Sequence, residues 1–185
     1  NQIFSNYHEN LWITHCQTGL QLKGNDHVFY RIGVSKCETG ILMKYWNYNT
    51  NFIGGFVQYN GKHQIKILRG THSINIRDMY FEGRASDAHG ALVTETPGAG
   101  ITIDADDGSY VASSIRSLCV SGCRFAVGDV DSDWWEDCII AVKDITHMLN
   151  VHDCHGNSFS DVTTYFIKVS GLGDIKEGGT FVGNS

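Results

Sequence analysis

The chain is predicted to be all-β, a single-stranded right-handed parallel β-helix. Three observations carry this reading: an octapeptide written twice, an apolar motif that recurs along the chain, and 21 Gly against one Pro in 185 residues. The octapeptides are Cys16-Gln17-Thr18-Gly19-Leu20-Gln21-Leu22-Lys23 and Cys37-Glu38-Thr39-Gly40-Ile41-Leu42-Met43-Lys44, 21 residues apart. A coiled sheet leaves this kind of self-similarity, because each turn presents the same inward positions at the same offsets.

The recurring motif is Leu11-x-Ile13-x-x-Cys16, echoed by Ile32-x-Val34-x-x-Cys37, Ile74-x-Ile76-x-x-Met79, Leu118-x-Val120-x-x-Cys123 and Leu149-x-Val151-x-x-Cys154, with a degenerate copy at Asp174-Ile175-Lys176-Glu177-Gly178. A weak copy is expected near Ile53, one 21-residue step after Val34. The spacing gives rungs of about 21–24 residues, and the doubled intervals hide a further rung or a large loop. A second short apolar stretch follows each copy, as in Gly19-Leu20-Gln21-Leu22 and Cys138-Ile139-Ile140-Ala141-Val142, so every rung carries at least two strands. Period-2 alternation points alternate side chains into a narrow core, and no stretch has competing helical spacing. Stacked rungs hydrogen-bond at about 4.8 Å. The right hand follows from the general rule for parallel crossovers. Glycine suits the tight corners, whereas proline would remove ladder donors.

A formal net charge of −6 with only 14 Lys and Arg argues against nucleic acid as a partner, since backbone phosphates demand clustered cations. No apolar run approaches the roughly 20 residues of a membrane span, so no membrane insertion is expected. Residues 1–185 read as one β-helix domain of a longer chain, with caps, trimerisation region and attachment domain elsewhere.

The cysteines read as architecture. Cys16, Cys37, Cys123 and Cys154 are expected to share the inward position that Met79 also fills, where a thiol acts as a small hydrophobe. Cys16 and Cys37 on adjacent rungs are close enough for a bridge to be conceivable. Cys119, on the opposite pleat phase, is expected to be exposed. His152-Asp153-Cys154-His155 has only superficial metal spacing, because alternation separates His152 and His155 from Cys154. No metal site and no cofactor are expected.

Chemistry in such a fold belongs to the corners, since the strands are committed to the core. Phe81 and Phe125 occupy the same position, and insertions leave after each. They could wall one groove, about 10 Å apart along the axis if two rungs separate them. The first insertion supplies Glu82, Arg84, Asp87 and His89 as candidate substrate contacts. The second places Asp129, Asp131, Asp133, Glu136 and Asp137 around Trp134 and Trp135. Glycoside hydrolysis uses two carboxyl groups about 5–9.5 Å apart, and flat aromatic rings complement the apolar faces of sugars. Carboxylates two residues apart on an extended segment are about 6.6 Å apart, within that window. Glu136 beside Trp135 is the candidate acid, since desolvation raises a carboxyl pKa, with Asp129, Asp131 or Asp133 as base and Trp134 or Trp135 as sugar platform. The alternatives for this loop are a solvated acidic surface and an Asp-x-Asp-x-Asp cation site.

Asp104-Ala105-Asp106-Asp107-Gly108 reads as a turn, with calcium as the alternative. The run Tyr45-Trp46-Asn47-Tyr48-Asn49-Thr50-Asn51-Phe52 suits either a glycan groove or an aromatic ladder on the sheet. Arg69, His72, Arg77 and His89 are further polar candidates.

The rungs Ile74-Asn75-Ile76-Arg77-Asp78-Met79-Tyr80-Phe81 and Leu118-Cys119-Val120-Ser121-Gly122-Cys123-Arg124-Phe125 resemble those of the pectin-lyase-like right-handed β-helix proteins. Irregular rungs and long corner loops make the chain most similar to bacteriophage tailspikes and capsule depolymerases. The resemblance lies in the rungs, and no family active-site residue is carried over. It implies a homotrimer in the extracellular tail of a virion that binds, and usually cuts, a bacterial surface polysaccharide. A hydrolase is preferred; a lyase would use a base such as Arg77 or Lys143 with calcium. The reading from another class is a non-catalytic adhesin or structural tail segment.

Overall fold

The computed structural model describes residues 6–68, 71–83, 100–104, 114–126, 138–143, 148–160 and 165–170. These form one 15-stranded sheet wound into a parallel solenoid, with no helix among the described residues. The strands are β1 (Asn6–Glu9), β2 (Trp12–Thr14), β3 (Thr18–Asn25), β4 (His27–Ser35), β5 (Thr39–Gln58), β6 (His63–Leu68), β7 (Thr71–Arg77) and β8 (Tyr80–Glu82). They continue with β9 (Ile101–Asp104), β10 (Ser114–Ser121), β11 (Arg124–Ala126), β12 (Cys138–Lys143), β13 (Met148–His155), β14 (Ser158–Ser160) and β15 (Tyr165–Ser170).

Each circuit lays residues on three faces. On the first face Glu9, Tyr30, Ile53, Arg77, Ser121 and His155 follow one another in register. On the second the column is Thr14, Ser35, Gln58, Glu82, Ala126 and Ser160. The third stacks Leu20, Ile41, Ile65, Ile101, Ile140 and Ile167. Left-handed backbone turns the chain from face to face: Asn10, Arg31, Gly54, Asp78, Gly122 and Gly156 all have positive φ, one residue past the first column. His15, Lys36 and Tyr59 do the same after the second, and Asp26, Asn49 and Ser73 before the first. This conformation is costly for a side-chain-bearing residue, so its repetition level after level marks an imposed corner.

Two phenylalanine pairs stack in the interior. Phe29 stacks on Phe52 at 5.1 Å, and Phe81 on Phe125 at 4.7 Å. All four are essentially inaccessible, each contributing about 1.5–3 kcal/mol by leaving water.

The repeated octapeptide is a true register repeat, with Thr18 on Thr39 and Leu20 on Ile41. Its glycine is steric: a Cβ on Gly40 would come 2.6 Å from the Gln64 carbonyl oxygen and 3.0 Å from Val57 Cγ1. Only a bare Cα lets the third face pass so close to the second.

The longer motif series needs correction. Ile13, Val34 and Val57 are one column, and Val57 is continued by Phe81 and Phe125, whereas Ile76 stands under Phe52 and Phe29 on the neighbouring face. Cys16 and Cys37 therefore share one corner, and Met79 and Cys123 another. Cys154 belongs to neither, because Cys119 pairs with His152 and Ser121 with His155, which places Cys154 opposite Val120. Both short faces use the same local pattern, two inward residues, a left-handed residue and one more inward residue, so the motif recurs at two corners. The weak rung expected near Ile53 is present with Val57 as the partner of Val34, 23 residues on. Cys119 is buried, not exposed, on a strand enclosed between its neighbours in register at Asn75 and at 152. Cys16 and Cys37 are unbridged; each thiol donates to the carbonyl two residues back, Thr14 and Ser35.

Candidate functional site

The second face carries on its outside the register column Trp12, Gly33, Phe56, Tyr80 and Arg124. These residues alternate with the inward Ile13, Val34, Val57, Phe81 and Phe125, so strand pleat alone directs them to solvent. Trp12 is 72% exposed and meets Phe56 edge to face at 5.2 Å. A Cβ on Gly33 would lie 2.5 Å from Phe56 Cζ, so the missing side chain is what lets the Phe56 ring reach back toward Trp12. A groove of about 250 Å³ opens there, lined also by Asn10 and Arg31. Further along, the Arg124 guanidinium lies over the Tyr80 ring, 5.9 Å from its centroid.

Tyr80 leads into the corner singled out by the insertions. Burial first, then the Glu82 carboxylate, which also hydrogen-bonds it, hold the Tyr80 phenol above its ordinary pKa, with Arg124 opposing. Glu82 pairs with Ala126, and the Gly83 amide donates to the Ala126 carbonyl at 3.0 Å. Six residues lie between Gln58 and Ile65, but 18 between Glu82 and Ile101 and 13 between Ala126 and Ile140, so both insertions fall between the same two faces on directly adjacent levels. Their separation at departure is one strand spacing, about 4.8 Å, half the spacing expected for two rungs, because the 44 residues from Phe81 to Phe125 make a single circuit. Of the candidates that the two insertions supply only Glu82 is described, half-buried beside Tyr80, while Arg77 lies on the first face in register with Ile53. Arg84, Asp87, His89, Asp129, Asp131, Asp133, Trp134, Trp135 and Glu136 lie outside the described residues.

A second groove, about 370 Å³, lies on the third face among Glu38, Lys62, His63, Lys66 and Asp104. Lys66 pairs with Asp104 at 2.8 Å, and His63 Nδ1 shares a hydrogen bond with the Thr102 hydroxyl at 3.1 Å. These contacts hold one level to the next, the work of a sheet surface. Asp104 itself ends β9, and the rest of its acidic turn lies outside the described residues.

The run from Tyr45 to Phe52 is divided by the pleat. Phe52 enters the core, Tyr48 stacks on His72 at 4.7 Å, and the Asn51 and Asn75 amides bond at 3.0 Å. It forms a ladder between levels. Trp12 and Phe56 are the residues that sequence reasoning missed; the outward phase of Trp12 between Leu11 and Ile13 was a readable signal, but its meeting with Phe56 depends on register.

No protein family matches this chain, and no curated protein or solved structure does either.

Proposed function

We propose that the chain binds and cleaves a bacterial surface polysaccharide, capsule or O-antigen, as a tailspike-like component of a viral tail. The observation that supports this most is the departure of two long insertions from one corner on adjacent levels, beside an outward column of aromatic and arginine side chains. A solenoid gains nothing in its core from such insertions, and two walls offset along the axis bound a cleft that crosses it and is open at both ends to a polymer. In this reading Glu136 protonates the leaving glycosidic oxygen while an Asp of the 129–133 series activates water at the anomeric carbon. Trp134 or Trp135 carries the sugar, and Glu82, Arg84, Asp87 and His89 contact the chain on either side. The homotrimer and the extracellular tail location rest on the resemblance of the rungs alone.

Reducing-end release from capsule or O-antigen preparations tests the proposal. Glu136→Gln is expected to lower it about 10²–10⁴-fold; undiminished release would remove Glu136 from the mechanism. An unsaturated product absorbing in the near ultraviolet would replace hydrolysis by elimination, with Arg77 or Lys143 as base. Binding without any cleavage would leave an adhesin.

A further inference from the structure

The geometry points to the groove bordered by Trp12, Phe56, Asn10 and Arg31 as a separate subsite for one acidic sugar residue, with Arg31 pairing its carboxylate. Its volume, about 250 Å³, falls below the roughly 300–1,000 Å³ of pockets that enclose drug-sized ligands, and suits a single ring. Trp12 is 72% exposed and meets Phe56 at 5.2 Å between ring centroids, so the two rings form one aromatic wall of the groove. That wall exists because Gly33, which pairs with both, has no side chain and leaves its place to the Phe56 ring.

The polar groups are set by the corner. Asn10 and Arg31 occupy successive left-handed positions, with φ of 55° and 54°, so both side chains leave the same turn at adjacent levels. The Arg31 guanidinium is held over the Tyr30 ring, 5.0 Å from its centroid. None of the residues lining the groove is acidic, in a chain whose formal net charge is −6. A fixed guanidinium fork beside an aromatic platform matches a carboxylate in two-pronged hydrogen bonds, and the Asn10 amide can take a ring hydroxyl. An acidic sugar is thereby favoured over a neutral one. The inference rests on the glycan reading for its ligand class, and is independent of cleavage.

The test uses immobilised bacterial capsular and O-antigen polysaccharides, some containing uronic acids and some neutral, with binding read by biolayer interferometry in a Glu136→Gln background that preserves the glycan. Tighter binding to the uronate-containing polymers is expected. Trp12→Ala should weaken it about tenfold or more, and Arg31→Gln should abolish the preference for acidic over neutral polymers, the loss of one charge-assisted contact. Thermal unfolding unchanged in both variants separates these effects from folding. Equal binding by wild type and both variants, or equal loss on acidic and neutral polymers with Arg31→Gln, overturns the subsite while the glycan reading stands. Absence of binding to every polymer overturns both.

Discussion

The main-chain amide of Cys37 donates to the side-chain oxygen of Asn60 on the next level, at 2.9 Å. Asn60 returns a longer contact, 3.5 Å, from its amide nitrogen to the Val34 carbonyl. The same cradle recurs at the other corner, where the Cys123 amide donates to Asn157 and Asn157 donates to Val120 oxygen, both at 2.9 Å. In each case one buried asparagine satisfies the polar groups that the corner withdraws from the ladder. Asn60→Ala should therefore lower the unfolding free energy by about 1–3 kcal/mol, the cost of stranding a buried donor. Chemical denaturation measures this; a loss below about 0.5 kcal/mol, the scatter of ordinary surface substitutions, would show that water replaces the amide.

His27 gives the solenoid an acid-sensitive level. Both ring nitrogens are buried without a hydrogen-bond partner among the described residues, and the ring lies near His8 and Phe29 at 6.2 and 6.0 Å. Burial, then repulsion by His8, lower its pKa from the ordinary 6.5, against an opposing pull from Asp26. The unfolded chain thus takes up a proton more readily than the folded one. Stability from this group is complete above about pH 6.5 and declines as pH falls from there through the lower folded pKa. Melting temperature followed from pH 8 to 5 should drop more steeply for the native chain than for His27→Gln. Parallel curves would exclude His27 as the cause.

The thiols should differ sharply in reactivity. Burial pushes Cys37 above its ordinary pKa and Cys123 up to about 12. A thiol reacts as the thiolate, so at pH 8 iodoacetamide should modify the half-buried Cys16 well before either. Peptide mass spectrometry of timed samples reads the order. Early labelling of Cys123 would mean that its corner opens without global unfolding.

Much of the winding was legible because strands announce themselves locally. The step from Thr18 to Thr39 is readable from identical neighbours, and the outward direction of Trp12 from the inward Leu11 and Ile13. Register between faces was not. Ile74-x-Ile76-x-x-Met79 and Ile32-x-Val34-x-x-Cys37 look alike because both obey one corner geometry, and only interlevel hydrogen bonding tells the two corners apart. The Asn60 and Asn157 cradles were invisible for the same reason, since each joins groups 23 or more residues apart. Of the site, the common corner was readable from Phe81 and Phe125, whereas the Trp12 groove depends on an absent side chain at Gly33.

Val57, Phe81, Phe125 and Phe159 succeed one another in register although 24, 44 and 34 residues separate them. Circumference in sequence is thus uncoupled from pitch in space: a circuit can lengthen at Gly83 or Ala126 while the next strand lands on the same template. That makes the two junctions interchangeable fittings. Exchange of the residues that follow either junction is compatible with an unchanged register in the strands downstream.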